Sequence, residues 1–181
     1  MLDFSQNHFE LFSLPVAFPV DQDRLSERYR ALQQALHPDR FAAAGEREKR
    51  LSMQASTRVN EAYQTLKDPL TRARYLLSLH AGETAGENET TKDMAFLMEQ
   101  MELREALAEA KDRSDPYAAV SEVIDRLGDL SSQLIGALAE CLDTPAPEDL
   151  DKVRELIRKL QFVSKCRVEA EQVEVKLDDA L

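Results

Sequence analysis

The chain has 181 residues, 31% of them charged, and a formal net charge of −11, with a sequence pI near 4.8. Such acidity argues against broad nucleic-acid binding, which needs basic stripes to neutralise phosphates. No apolar run approaches the ~20 residues that span a bilayer, and the opening Met1-Leu2-Asp3-Phe4 carries neither signal-peptide nor transit-peptide character, so a soluble, cytoplasmic chain is expected.

The charge is unevenly held. Residues 1–80 carry 11 Lys+Arg against 10 Asp+Glu, a net +1, whereas residues 81–181 carry 12 against 24, a net −12. That asymmetry predicts two surfaces with different partners. The two cysteines, Cys141 and Cys166, have no companions at metal-ligand spacing. A disulfide between them is left open, but both fall inside apolar helical patterns and read more simply as buried thiols.

The first element spans Asn7 to Leu14, anchored by Phe9 and Phe12 and closed by Pro15. Asp21 or Asp23 can cap a second helix running to about Leu36. Its apolar positions Leu25, Tyr29, Leu32 and Leu36 form one stripe, with Arg24 and Arg28 on one flank and Arg30 on the other. A long helix follows from Glu46 to about Lys67, with Met53, Val59, Ala62, Tyr63 and Leu66 expected on its buried side. Asp68-Pro69 breaks it and opens a short helix over Leu70–Leu79. The polar, glycine-containing stretch 81–92 reads as a linker. Three more helices are expected at about Asp93–Asp112, Pro116–Leu142 and Pro147–Leu181. Their short connections predict antiparallel neighbours and hence a three-helix bundle. The expected architecture is all-α: a helical hairpin with short flanking helices over 1–80, a linker over 81–92, and a three-helix bundle over 93–181.

His37-Pro38-Asp39 sits between the two long helices of the hairpin. Proline cannot extend the preceding helix and pushes His37 out of α geometry, so the tripeptide belongs to a loop. Imidazole and carboxylate together can share general acid–base work. No nucleophile, phosphate-binding glycine loop or metal cluster accompanies them in sequence, so by these residues alone a solvated loop is the favoured reading of the pair.

The flanking residues bear on that choice. Tyr29, Leu32, His37-Pro38-Asp39-Arg40, then Asn60-Glu61-Ala62-Tyr63, Leu66, Asp68-Pro69, Arg72 and Tyr75 together resemble the J-domain pattern, covering about the first 80 residues. Leu36 departs from it where an aromatic is common, and Ala35 where a basic residue is. The resemblance implies docking on a DnaK-type chaperone and stimulation of its ATP hydrolysis. His37, Pro38 and Asp39 would make the essential contact, with Arg24, Arg28, Arg30 and Arg40 steering the encounter.

In the acidic half, helical geometry at about 100° per residue separates two faces on one helix. Phe96, Leu103, Leu107, Ala106 and Ala110 make a core stripe. Leu97, Met101, Met94 and Met98 fall on the opposite half, interleaved with Glu102, Glu105 and Glu109. A bundle helix touching two neighbours would also need a wide stripe, but carboxylates sit badly in a core. Flexible methionine beside charge suits an adaptable binding surface. In the last helix, Leu150, Val153, Ile157, Leu160 and Ser164 form a stripe from which Phe162 departs, projecting about 140° from Ile157. It is either an exposed anchor for a partner or a contact to another part of the chain.

The run Ala95 to Glu105 (Ala-Phe-Leu-Met-Glu-Gln-Met-Glu-Leu-Arg-Glu), together with Pro69 to His80, Asn7 to Pro15 and Lys159-Leu160-Gln161-Phe162, is similar to HscB-type co-chaperones. This resemblance spans nearly the whole chain. It implies that the bundle binds the iron–sulfur scaffold IscU through Leu97, Met98, Met101, Glu102, Glu105, Glu109 and Phe162, and delivers it to the chaperone HscA. The expected protein is an adaptor for these two partners, not an enzyme, with no metal site or cofactor of its own and no nucleic-acid or membrane partner. A J-domain adaptor for another client, an enzyme using His37 and Asp39, and a purely structural bundle are the competing readings.

Overall fold

The computed structural model describes residues 3–37, 41, 45–82, 91, 93–143 and 149–179. Among these residues there are seven helices and no strand, so the expected all-α class holds. The chain divides into two compact units, residues 1–82 and 83–181.

In the first unit, α1 (His8–Leu11) is shorter than the expected Asn7–Leu14 span. Asn7 Oδ1 accepts from the backbone N–H groups of Phe9 and Glu10 at 2.9 and 3.0 Å, and Glu10 Oε2 accepts from the Asn7 N–H at 2.8 Å. This closed capping box makes a one-turn helix persist. Ser13, at φ +54°, turns the chain ahead of Pro15, and Phe9, Phe12 and Phe18 are buried.

α2 (Gln22–Leu36) starts at Asp21, whose Oδ1 accepts the Arg24 N–H at 3.0 Å. It packs along α3 (Glu46–Lys67). α2 buries Leu25, α3 buries a row made of Ser52, Ala55, Val59, Ala62 and Leu66, and between the two helices Tyr29 stacks on Tyr63 with centroids 4.0 Å apart. Met53 does not join that row: it is 63% exposed. At about 100° per residue it projects roughly 120° from Val59, whereas Ser52 lies only about 20° from it. Ser52 takes the inward place, and its Oγ donates to the Leu36 carbonyl at 2.9 Å.

Asp68 serves two helices. Its N–H donates to Gln64 O at 3.3 Å, ending α3, and its carboxylate accepts the Thr71 N–H at 2.8 Å, starting α4 (Pro69–Ala81). Pro69 occupies the first helical position, where its missing N–H has no intrahelical partner to lose. α4 continues beyond the expected end at Leu79, through Ala81, and stops at Gly82. Gly82 has φ +66° and donates its N–H to Ser78 O at 3.0 Å, a left-handed cap that glycine adopts without strain. Of the expected linker, residues 83–90 and 92 lie outside the described residues. Arg72 of α4 is buried: Nη1 donates to Leu66 O at 2.5 Å and the guanidinium lies 4.9 Å from the Phe18 ring centroid.

The second unit contains α5 (Met94–Ala110), α6 (Pro116–Asp143) and α7 (Leu150–Asp178). Its core is lined by Val120, Val123, Leu127, Leu134, Leu138 and Leu142 of α6, and by Val153, Ile157, Leu160, Val163 and Ala170 of α7. α7 begins at Leu150, after the expected start at Pro147, and residues 144–148 lie outside the described ones. Cys141 and Cys166 are buried free thiols. Among the described residues no helix is long and apolar enough to cross a membrane.

Candidate functional site

The first group of expected site residues lies along α2 and at its end. The Tyr29 hydroxyl donates to Asn60 Oδ1 at 3.0 Å, and Gln33 Nε2 donates to the same oxygen. These bonds fix the rotation of α2 against α3 and so the direction of its outer face. Arg24, Arg28 and Arg30 are all exposed there. Arg24 Nη2 donates to Ser13 O at 3.3 Å and Arg30 Nε to Ser26 O at 3.2 Å. His37 ends the helix with φ −58° and ψ 133°, the extended ψ that a following proline imposes, and its side chain is exposed. Pro38, Asp39 and Arg40 lie outside the described residues.

The second group occupies α5. Phe96, Leu103 and Ala110 are buried, whereas Met94, Met98 and Met101 are 69%, 61% and 71% exposed. Glu102, Glu105 and Glu109 are exposed on the same side, and Leu97 is half-buried at its edge. Glu102 faces Arg126 of α6 at 3.9 Å, and Glu109 pairs with Arg113 at 3.4 Å. Both pairs are open to solvent, so they contribute little to stability and leave the carboxylates available to a basic partner.

Phe162 is half-buried and is held by residues on α5. Its ring meets Phe96 edge-on, with centroids 5.8 Å apart at 83°, and the Arg104 guanidinium lies 5.2 Å from the Phe162 centroid. Of the two readings open from the sequence, contact with a neighbouring helix is present, and the residue as a whole remains partly exposed. The start of α5 is tied to α7 as well. Asp93 caps α5 by accepting from Ala95 and Phe96 N–H groups at 3.0 and 3.2 Å, and Lys159 Nζ donates to Asp93 Oδ2 at 2.6 Å. The hydrogen bond from Lys159, then that from Phe96, holds the Asp93 carboxyl below its usual range. Thr91 is buried and its hydroxyl donates to Glu155.

Arg104 and Lys159 are the site residues that sequence reasoning missed. Both are polar positions beside apolar ones, and nothing in a helical period says which ring on another helix a cation will cover. Among the described residues no cluster of His, Cys, Asp or Glu could hold a metal. The second unit offers an adaptable apolar strip edged by acids, and the first unit offers exposed arginines on both flanks of a helix that ends at an imidazole.

Comparison with known proteins covers most of the chain. Residues 7–75 match the DnaJ domain model, and residues 92–171 match the model described as the HSCB C-terminal oligomerisation domain. A co-chaperone protein HscB homolog from Shewanella amazonensis is 43% identical over 173 residues, 96% of this chain and 99% of that protein. Among solved structures, the chaperone HscB from Vibrio cholerae superposes with a TM-score of 0.83 at 42% identity, covering 95% of this chain and 99% of that one. The human co-chaperone protein HscB gives a TM-score of 0.86 at 31% identity, covering 97% of this chain and 85% of that one.

Proposed function

Because the chain belongs to the HscB family of J-domain co-chaperones, we propose that its two groups of candidate site residues are two docking surfaces serving one delivery step. The protein is a co-chaperone of iron–sulfur cluster assembly, with a DnaK/HscA-type chaperone and an IscU-type scaffold as partners. The α5 strip of Leu97, Met98, Met101, Glu102, Glu105 and Glu109, with Phe162 of α7, holds the scaffold. His37, Pro38, Asp39 and Arg40, backed by Arg24, Arg28 and Arg30, engage the chaperone and stimulate its ATPase. The protein itself is an adaptor without catalytic activity, working in the cytoplasm.

The observation that carries this assignment is the second apolar face of α5. A helix with Phe96, Leu103 and Ala110 already buried has no folding reason to expose three methionines on its other side. Methionine is flexible enough to fit an irregular partner surface, and the interleaved carboxylates favour a basic one. At the other surface no bond chemistry is needed: contacts that differ between two chaperone conformations are enough to shift their balance. The test is the chaperone ATPase rate with this protein and the scaffold, each alone and both together. Synergy between them is expected; strictly additive rates would sink the two-surface reading.

A further inference from the structure

We propose that the exposed α5 face is also a modification site, at which oxidation of Met94, Met98 and Met101 by a peroxide releases the scaffold and reduction by a dithiol restores binding. This rests on the reading of that face as the scaffold surface.

The placement of sulfur in the chain is the basis. Of its five methionines, three fall within the eight residues from Met94 to Met101. All three are more than three-fifths exposed, and the buried core of the same unit contains none. The two thiols are instead withdrawn: Cys141 and Cys166 are buried. Burial also raises the Cys166 thiol above its ordinary range, against formation of the thiolate that a peroxide attacks. The sulfur of this unit that an oxidant can reach therefore lies on the strip that meets the partner.

In the forward step a thioether sulfur attacks one oxygen of hydrogen peroxide. The S–O bond forms, the O–O bond breaks, and the second oxygen leaves as water after proton transfer. Sulfur gives up two electrons and the peroxide takes them. In the reverse step a dithiol becomes a disulfide and the sulfoxide oxygen leaves as water, as methionine sulfoxide reductases achieve. The sulfoxide is polar and accepts hydrogen bonds without donating any. Set among Glu102, Glu105 and Glu109, it adds a further acceptor at positions where the thioether would pack against apolar atoms of the partner, and competes with the carboxylates for any donor the partner brings. Burying one without a donor weakens binding by about tenfold. The fold is not disturbed, because none of the three side chains supports the core.

Purified full-length protein treated with hydrogen peroxide tests this, with oxidation mapped by peptide mass spectrometry. The Kd for purified IscU-type scaffold is measured before treatment, after it, and after incubation with a methionine sulfoxide reductase and dithiol. The expected result is a rise in Kd of about tenfold or more, reversed by reduction, with unchanged circular dichroism. A Met94→Leu/Met98→Leu/Met101→Leu variant, whatever its starting Kd, should give the same value before and after treatment. Met53→Leu, which removes the exposed methionine among the described residues of the first unit, should respond as wild type does. Complete oxidation at the three positions with unchanged wild-type Kd overturns the switch, as does an equal rise in the triple leucine variant. Untreated Leu97→Ala/Met101→Ala/Phe162→Ala separates the causes. If it binds as tightly as wild type, the scaffold surface itself is misassigned; if it binds weakly while oxidised wild type is unaffected, only the switch falls.

Discussion

The ring of Phe162 meets that of Phe96 edge-on, 5.8 Å between centroids, and this pair joins α7 to α5. Each ring also carries a cation from the opposite helix: Lys159 Nζ lies 5.2 Å from the Phe96 centroid, and Arg104 lies 5.2 Å from that of Phe162. The alternation of cation and ring across the seam sets where Phe162 points, and therefore what it presents to a partner.

Arg104→Ala should free the Phe162 ring while leaving the fold intact. A cation over an exposed ring contributes about 0.5–1 kcal/mol, so stability should fall by no more than that in denaturant unfolding. Scaffold affinity should fall several-fold by calorimetric titration, roughly the same energy on the affinity scale. Arg104→Lys, which keeps a cation near the ring, should recover much of the loss.

Leu97→Ala/Met101→Ala/Phe162→Ala removes the apolar anchors of the strip. Hot-spot truncations cost about 2 kcal/mol each but do not add in full, so scaffold binding should weaken by at least about 100-fold. Stimulation of the chaperone ATPase without scaffold should persist. Wild-type affinity in this variant would end the assignment of the strip.

His37→Gln should abolish ATPase stimulation and leave the scaffold Kd unchanged, because His37 lies in the first compact unit and the α5 strip in the second. Single-turnover ATP hydrolysis by the chaperone, measured alongside the titration, reads both. Retained stimulation would remove His37 from the docking surface.

Arg72→Met tests a structural cation. The Leu66 carbonyl would lose its 2.5 Å donor, and Phe18 its stacked guanidinium. Losing a charged hydrogen bond costs about 1.5–3 kcal/mol, so a drop of that order in the stability of the first unit is expected by urea denaturation.

His8 should give the first unit a pH dependence. Its ring stacks on Tyr75 at 4.2 Å, and its backbone N–H donates to the Tyr75 hydroxyl at 3.0 Å. Burial, and then the nearby Arg58, lower its pKa, with Glu61 opposing. The unfolded chain therefore takes up a proton before the folded one does. This contribution is fully present above the ordinary histidine value of about 6.5 and declines as pH falls from there through the lower folded value. Thermal unfolding at stepped pH should show the decline, and His8→Phe, which keeps the stacking without titrating, should flatten it.

Some helix starts were legible because they rest on local chemistry, whereas the extent of α1, the end of α4 and the start of α7 were not. Asp21, one of two expected caps, starts α2, Pro116 opens α6, and Asp68-Pro69 opens α4 one residue before the expected Leu70, each acting within one turn of the chain. The two faces of α5 were legible for the same reason, since a helical period needs no knowledge of the neighbour. Met53 was misplaced because apolar character alone ranked it above Ser52, although Ser52 had the better angle and a hydrogen bond to make with Leu36. Phe162 left the sequence undecided between exposed anchor and buried contact, since its partners Phe96 and Arg104 lie more than fifty residues away along the chain.

The bond from Ser52 to the Leu36 carbonyl has a consequence for how the hairpin tolerates change. It claims one of the terminal acceptors of α2 from inside the unit, at a point before His37. Insertions or deletions between positions 37 and 45 should therefore be absorbed there without unwinding α2. Chains of differing loop length would then keep the same helix end, with Arg24 and Arg28 on one flank and Arg30 on the other held in the same directions, whatever the length of the tip.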